Sequence, residues 1–124
     1  MELKIGLENE LEILVTPKDT AKAYGSGMIE VFATPAMIAL MEKTALLLAS
    51  PFLKKGRNTV GTEICVKHIK ATHLGQRVQS YAKLIEIDGK KLIFQVEAYD
   101  EKGLIGTGTH NRYIIDEEEF MNSL

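Results

Sequence analysis

Thr34, Glu42 and His68 supply a hydroxyl, a carboxylate and an imidazole, the parts needed for nucleophilic or general-base hydrolysis. Glu42 is the most informative of the three because it interrupts an apolar run. Ala36 to Met41 precede it, and Ala45 to Ala49 follow after only Lys43 and Thr44. A helix apolar on every side is usually buried, and a buried carboxylate is costly unless paired, hydrogen-bonded or neutral. Glu42 is therefore expected to border a cavity near His68; the alternative is a solvated notch shared with Lys43 and Thr44. Thr34 stands before Pro35, which predicts a helix N-cap followed by proline at the first helical position. A hydroxyl there lies at the positive helix end, where an oxyanion or a carbonyl can be polarised.

These side chains need a scaffold, and the periodicity outlines one. Leu11–Val15 reads as a first strand, and Thr16-Pro17 stops it before a helical turn that runs to Ala23. A loop at Tyr24–Gly27 leads to a short extended piece, Met28–Phe32. The central helix covers Thr34 to Ala49 and is closed by Ser50-Pro51. Four long strands follow: Thr59–Thr72, Arg77–Ile87, Lys91–Tyr99 and Leu104–Ile115. Asp88-Gly89 and Glu101–Gly103 mark tight turns between them. Strict alternation in the first of the four places Val60, Thr62, Ile64, Val66 and His68 on the helix side, with Cys65, Lys67 and Ile69 opposite. A short terminal helix begins near Asp116–Glu119. One buried helix before a run of antiparallel strands is an α+β arrangement, and a curved sheet wrapped round a central helix is the hot-dog fold. An unpaired edge of such a sheet is an aggregation hazard, so at least a homodimer is expected.

Composition bounds the rest. The 124 residues fit one domain, 1–124, with a core large enough to need no disulfide or metal staple. A net charge of -2 and a pI near 5.9 give no footprint for nucleic acid. The single cysteine, Cys65, and the lack of zinc-spaced Cys/His groups point to a reducing compartment and to no metal. No basic start with an apolar run precedes the first strand, and Glu42-Lys43 breaks the longest apolar stretch below membrane-spanning length. A cytoplasmic protein is expected, with no membrane partner and no separate cofactor.

The stretch Val31-Phe-Ala-Thr34-Pro35-Ala-Met-Ile-Ala-Leu-Met-Glu42, then Val60-Gly61-Thr62 and His68, resembles the fluoroacetyl-CoA thioesterase-like family of hot-dog thioesterases. That family carries a threonine, a glutamate eight residues on and a histidine 26 beyond it. Here 42 − 34 = 8 and 68 − 42 = 26. The resemblance covers nearly the whole chain and implies hydrolysis of an acyl-CoA thioester at a site near a subunit interface. It implies that Thr34 polarises the carbonyl, that Glu42 is nucleophile or general base, and that His68 assists proton transfer. It also implies that the Gly61 backbone approaches the thioester, with Thr62, Phe32, Met28 and Arg112 around the substrate; a β-bulge is the plainer explanation of that glycine. One departure stands out: Met28 and Ile29 lie where the fluoroacetyl-specific enzyme has a phenylalanine lid. Thioester hydrolysis is carried over, and the fluorinated substrate is not.

Two other functions are open to the same residues. A hot-dog protein can bind acyl-CoA or another apolar ligand without turnover. A hydratase of the same fold is disfavoured, because no Asp-plus-His motif with a following Gly-Asp pair surrounds His68 or His73. The basic residues Lys54, Lys55, Arg57, Lys70 and Arg77 could meet coenzyme A phosphates but read equally as solvated surface. His110 and Arg112 share a face of the last strand and are candidates for the pocket wall or a dimer seam.

Overall fold

The apolar alternation of the last three strands builds the sheet, and the computed structural model describes residues 2–124 of the chain. In order the elements are β1 (Glu8–Leu14), α1 (Ala21–Tyr24), α2 (Thr34–Ala49), β2 (Arg57–His68), β3 (Arg77–Asp88), β4 (Lys91–Asp100), β5 (Gly103–Asp116) and α3 (Glu117–Asn122). Short 3-10 turns occupy Pro17–Asp19 and Ser50–Phe52. All strand pairs are antiparallel, in the spatial order β1-β3-β4-β5-β2. The helix α2 packs on this sheet against β1, β2, β3 and β4. This is the expected hot-dog architecture. Of the predicted extended piece Met28–Phe32, only Val31 and Phe32 form bridges, to His73 and Thr20; Met28 to Glu30 merely bend.

Inward residues of β3 (Val78, Ala82, Leu84) and β4 (Leu92, Phe94, Val96, Ala98) are fully buried against α2. From α2 itself Ala36, Met37, Leu40, Met41, Ala45, Leu48 and Ala49 enter the same core. Each of the larger side chains stabilises the fold by about 1.5–3 kcal/mol. Small residues set how closely helix and sheet approach. A Cβ on Gly106 would sit 2.5 Å from the Met37 sulfur, so a larger residue there would shift Met37 from its place on β5. Thr44 is buried in the helix but satisfied, with the Leu40 carbonyl at 2.7 Å and Ser80 Oγ at 2.9 Å.

The helix is not buried all round, however. Ala39, Lys43 and Leu47 form an exposed stripe at four-residue spacing, and Glu42 lies at its margin with its side chain 40% exposed. The expectation of a helix buried on every side is thereby corrected. The expected strand face of β2 is corrected as well. A bulge between Gly61 and Glu63 inserts one residue and switches the alternation. Before the bulge Thr59 is buried and Gly61 faces the helix, so Val60 and Thr62 are not the inward residues. After it Ile64, Val66 and His68 keep the predicted face, and Cys65 is exposed.

A buried carboxylate locks the two segments that flank the sheet's open end. Asp100, at the end of β4, accepts from Lys70 Nζ (3.0 Å), Thr72 Oγ1 (2.9 Å) and the Lys102 backbone N–H (2.8 Å). Burial pushes its pKa up, but these donors outweigh burial and hold it below the ordinary 3.8. Through Thr72, whose carbonyl accepts from the Phe32 N–H at 2.9 Å, the lock reaches the residues that lead into α2. Asp100→Ala is expected to destabilise the fold by about 1–3 kcal/mol, read by chemical denaturation, because Thr72 and the Lys102 N–H lose their acceptor. Because the folded-state pKa is the lower one, this stabilisation is present above the unfolded value and is lost as pH falls through the folded one.

Candidate functional site

Thr34 and His68 meet at the open end of the sheet. Thr34 is the first residue of α2, whose N-cap is Ala33 with no side-chain cap bond. The predicted capping role therefore falls to no side chain, and the Thr34 hydroxyl instead lies 2.7 Å from His68 Nδ1. The reason is tertiary: His68, the last residue of β2, reaches the helix start and captures the hydroxyl. Thr34 and His68 line a cavity of about 360 Å³ with Phe32, Pro35, Ile69 and Lys70. Phe32 is buried and stands edge-on to the His68 ring at 6.4 Å. His68 Nε2 is buried without a hydrogen-bond partner. Burial lowers the His68 pKa below 6.5, and the Lys70 backbone opposes the shift only in part.

Glu42 lies elsewhere. Eight residues of helix separate it from Thr34, about 12 Å along the axis at ~1.5 Å per residue. Its surroundings form a second cavity, about 210 Å³, lined by Gly61, Thr62, Glu63, Ile64 and His110. The imidazole it borders in this chain is His110, not His68, which corrects the expectation that Glu42 borders a cavity near His68. A Cβ on Gly61 would come within 2.8 Å of Glu42 Oε2 and 3.2 Å of His110 Cε1, so glycine is what lets these groups converge on β2. Arg112 Nη1 is 3.8 Å from Glu42 Oε2, an ion pair beyond hydrogen-bond length.

The other anticipated substrate residues divide between these places. Arg112 is 6% exposed and beside Glu42. Thr62 borders the Glu42 cavity and donates at 3.3 Å to the Asn111 carbonyl. Met28 is 93% exposed and lines neither cavity. Lys70 borders the Thr34 cavity but is engaged with Asp100. The sequence places His110 on a shared face with Arg112, as a candidate for the pocket wall or a dimer seam, and does not link it to Glu42. Its link to Glu42 depends on the β2 bulge between Gly61 and Glu63. Among the described residues no cluster of His, Cys, Asp or Glu could hold a metal ion, and no helix is long and apolar enough to cross a membrane.

The family model described as "Fluoroacetyl-CoA-specific thioesterase" (FlK) matches residues 15–118. A fluoroacetyl-CoA thioesterase from Streptantibioticus cattleyicolor is 42% identical over 91 residues. That match takes in 73% of this chain and 66% of the relative, just under two thirds of its length. The solved structure of the fluoroacetyl-CoA thioesterase FlK superposes with a TM-score of 0.93 at 33% identity, covering 99% of this chain and 96% of that one. A variant of the same enzyme in complex with fluoroacetate and CoA gives a TM-score of 0.90 at 35% identity, over 95% and 99% of the two chains.

The half-buried His68 and the buried His110 both have pKa values below 6.5, chiefly through burial. In an NMR titration each is expected to protonate at lower pH than an exposed histidine. The unfolded chain takes up these protons first, so stability is full above about 6.5 and declines as pH falls toward the folded-state values.

Proposed function

The chain belongs to the fluoroacetyl-CoA-specific thioesterase family, and on that premise we propose that it hydrolyses acyl-CoA thioesters to the free acid and CoA, acting as one hot-dog domain over 1–124. The observation that carries this reading is the Thr34–His68 contact at the uncapped start of α2, 2.7 Å long and open to a cavity. Backbone N–H groups of a helix start stabilise the charge that develops on a thioester oxygen. With the Nδ1–H of a neutral His68 donating to the Thr34 oxygen, the hydroxyl keeps its own hydrogen to donate to the same thioester oxygen. Glu42 supplies the carboxylate that attacks the acyl carbon or draws the proton from the water that does. The acyl carbon gains the water oxygen, the C–S bond breaks, and the sulfur takes a proton. No separate cofactor enters this scheme, since coenzyme A is part of the substrate, and no fluorinated acyl group is required by it.

One chain cannot present Glu42 and Thr34–His68 to the same thioester, because about 12 Å of rigid helix lies between them. We propose that a homodimer completes the site, Glu42 of one subunit serving with Thr34 and His68 of the other. The unpaired edge of β2, twelve residues long and flanked on one side only by β5, supports the pairing. The lone cysteine and its free, exposed thiol accord with a cytoplasmic location.

Purified protein is expected to release thiol from short or medium acyl-CoA, and Glu42→Gln to lower kcat by at least about a hundredfold with an unchanged melting temperature. Tight acyl-CoA binding with no thiol release across a chain-length series would instead make the protein a binder. Mixing Glu42→Gln with His68→Ala subunits, each inactive alone, should restore about a quarter of wild-type activity, since half the dimers carry one intact composite site. No restoration, with subunit exchange verified, would place the working group within one chain.

A further inference from the structure

His110 is buried on β5 and has no place in the hydrolysis scheme, yet both its ring nitrogens are committed. Nδ1 lies 2.8 Å from the Glu63 carbonyl, which can only accept, so Nδ1 carries the hydrogen. Nε2 lies 3.1 Å from Arg112 Nη1, which can only donate, so Nε2 carries the lone pair. Two independent partners thus select one neutral tautomer. The Glu63 carbonyl stands at the bulge, where Asn111 Nδ2 also donates to the Glu63 carboxylate at 2.7 Å. The charged groups around the ring are Arg112 on β5, Glu42 from α2 and that Glu63 carboxylate on β2, while β4 contributes the uncharged Phe94 ring, 6.3 Å away.

Arg112 is held along one edge by Thr59, through Nε to Oγ1 at 2.8 Å and Nη2 to the carbonyl at 2.9 Å. Its remaining end, Nη1, is the one that faces Glu42. From this arrangement we infer that His110 is a positioning residue, accepting one Nη1 hydrogen of Arg112 so that the other is directed at the Glu42 carboxylate. A second proton on the ring would turn Nε2 into a donor and oppose two cations, so the device works only with the neutral imidazole. The lowered pKa of His110 keeps that form over more of the pH range. The functional weight of the inference rests on the thioesterase reading above.

Two substitutions separate positioning from mere structure. His110→Asn keeps a donor at the Nδ1 position for the Glu63 carbonyl but cannot reach Arg112. His110→Gln keeps an acceptor at the Nε2 position for Arg112 but gives up the tie to Glu63. In the acyl-CoA thiol-release assay, His110→Asn is expected to lower kcat at least about tenfold with KM within about threefold, and His110→Gln to stay within about threefold of wild type. A purely structural histidine predicts the reverse order, and that order, or a fully active His110→Asn, overturns the inference. A second readout does not need turnover: the Arg112 Nη hydrogens should give separate NMR resonances in wild type and His110→Gln, and averaged ones in His110→Asn. Retained separation in His110→Asn also overturns it. If the wild-type protein releases no thiol, the hydrolase reading falls, and the NMR comparison alone supports or overturns the positioning role.

Discussion

The fixed rise of α2 is the constraint on which the arrangement depends. A helix cannot bring residues eight positions apart together, so Thr34 and Glu42 stand about 12 Å from each other whatever the sheet does. The rest of the chain is arranged along that rod. Gly106 and the alanines of the helix let it lie close on the sheet, which fixes both its ends relative to the strands. β2 then serves both places: its last residue, His68, meets Thr34, and its first half carries Gly61 beside Glu42.

Two devices adjust β2 to this task. At one end, Asp100 gathers Lys70, Thr72 and the Lys102 N–H, and Thr72 holds the Phe32 backbone. The chain entering α2 and the chain leaving β2 are thereby held together, and the 2.7 Å Thr34–His68 contact sits where they meet. Near the other end the bulge at Gly61–Glu63 changes which residues face inward. Without that extra residue, strict alternation from His68 would turn Thr62 inward in place of Gly61, and a side chain would occupy the space in which Glu42, His110 and Arg112 converge.

The two histidines are tuned by burial toward the neutral form, but their partners differ. His68 faces a hydroxyl and leaves Nε2 unpartnered, an arrangement with spare capacity for proton transfer. His110 has both nitrogens committed, which suits a ring that orients rather than reacts. Arg112, 6% exposed, has its charge met by Glu42 and its other hydrogens by Thr59 and His110. A buried guanidinium without such partners would be costly.

Much of this was legible in the order of residues. The apolar run between Thr34-Pro35 and Ser50-Pro51 announced α2, and the period of 2 announced the four long strands nearly to their ends. The types of Thr34, Glu42 and His68 pointed to hydrolysis, and their spacing matched the pattern of the family the chain resembles. Local pattern also suggested a helix buried on every side, a capping Thr34 and an inward Thr62, and tertiary structure reversed all three. Each depends on which neighbour arrives from a distant segment. His68 comes from 34 residues away to take the Thr34 hydroxyl. A bulge opposite Arg112 and Asn111 shifts the face of β2. The strand order leaves β2 at an edge, so the side of α2 that bears Glu42 stays partly open. Periodicity records what a segment does along its own axis; register, bulges and sheet order arise between segments, and they decided which imidazole each functional group would meet.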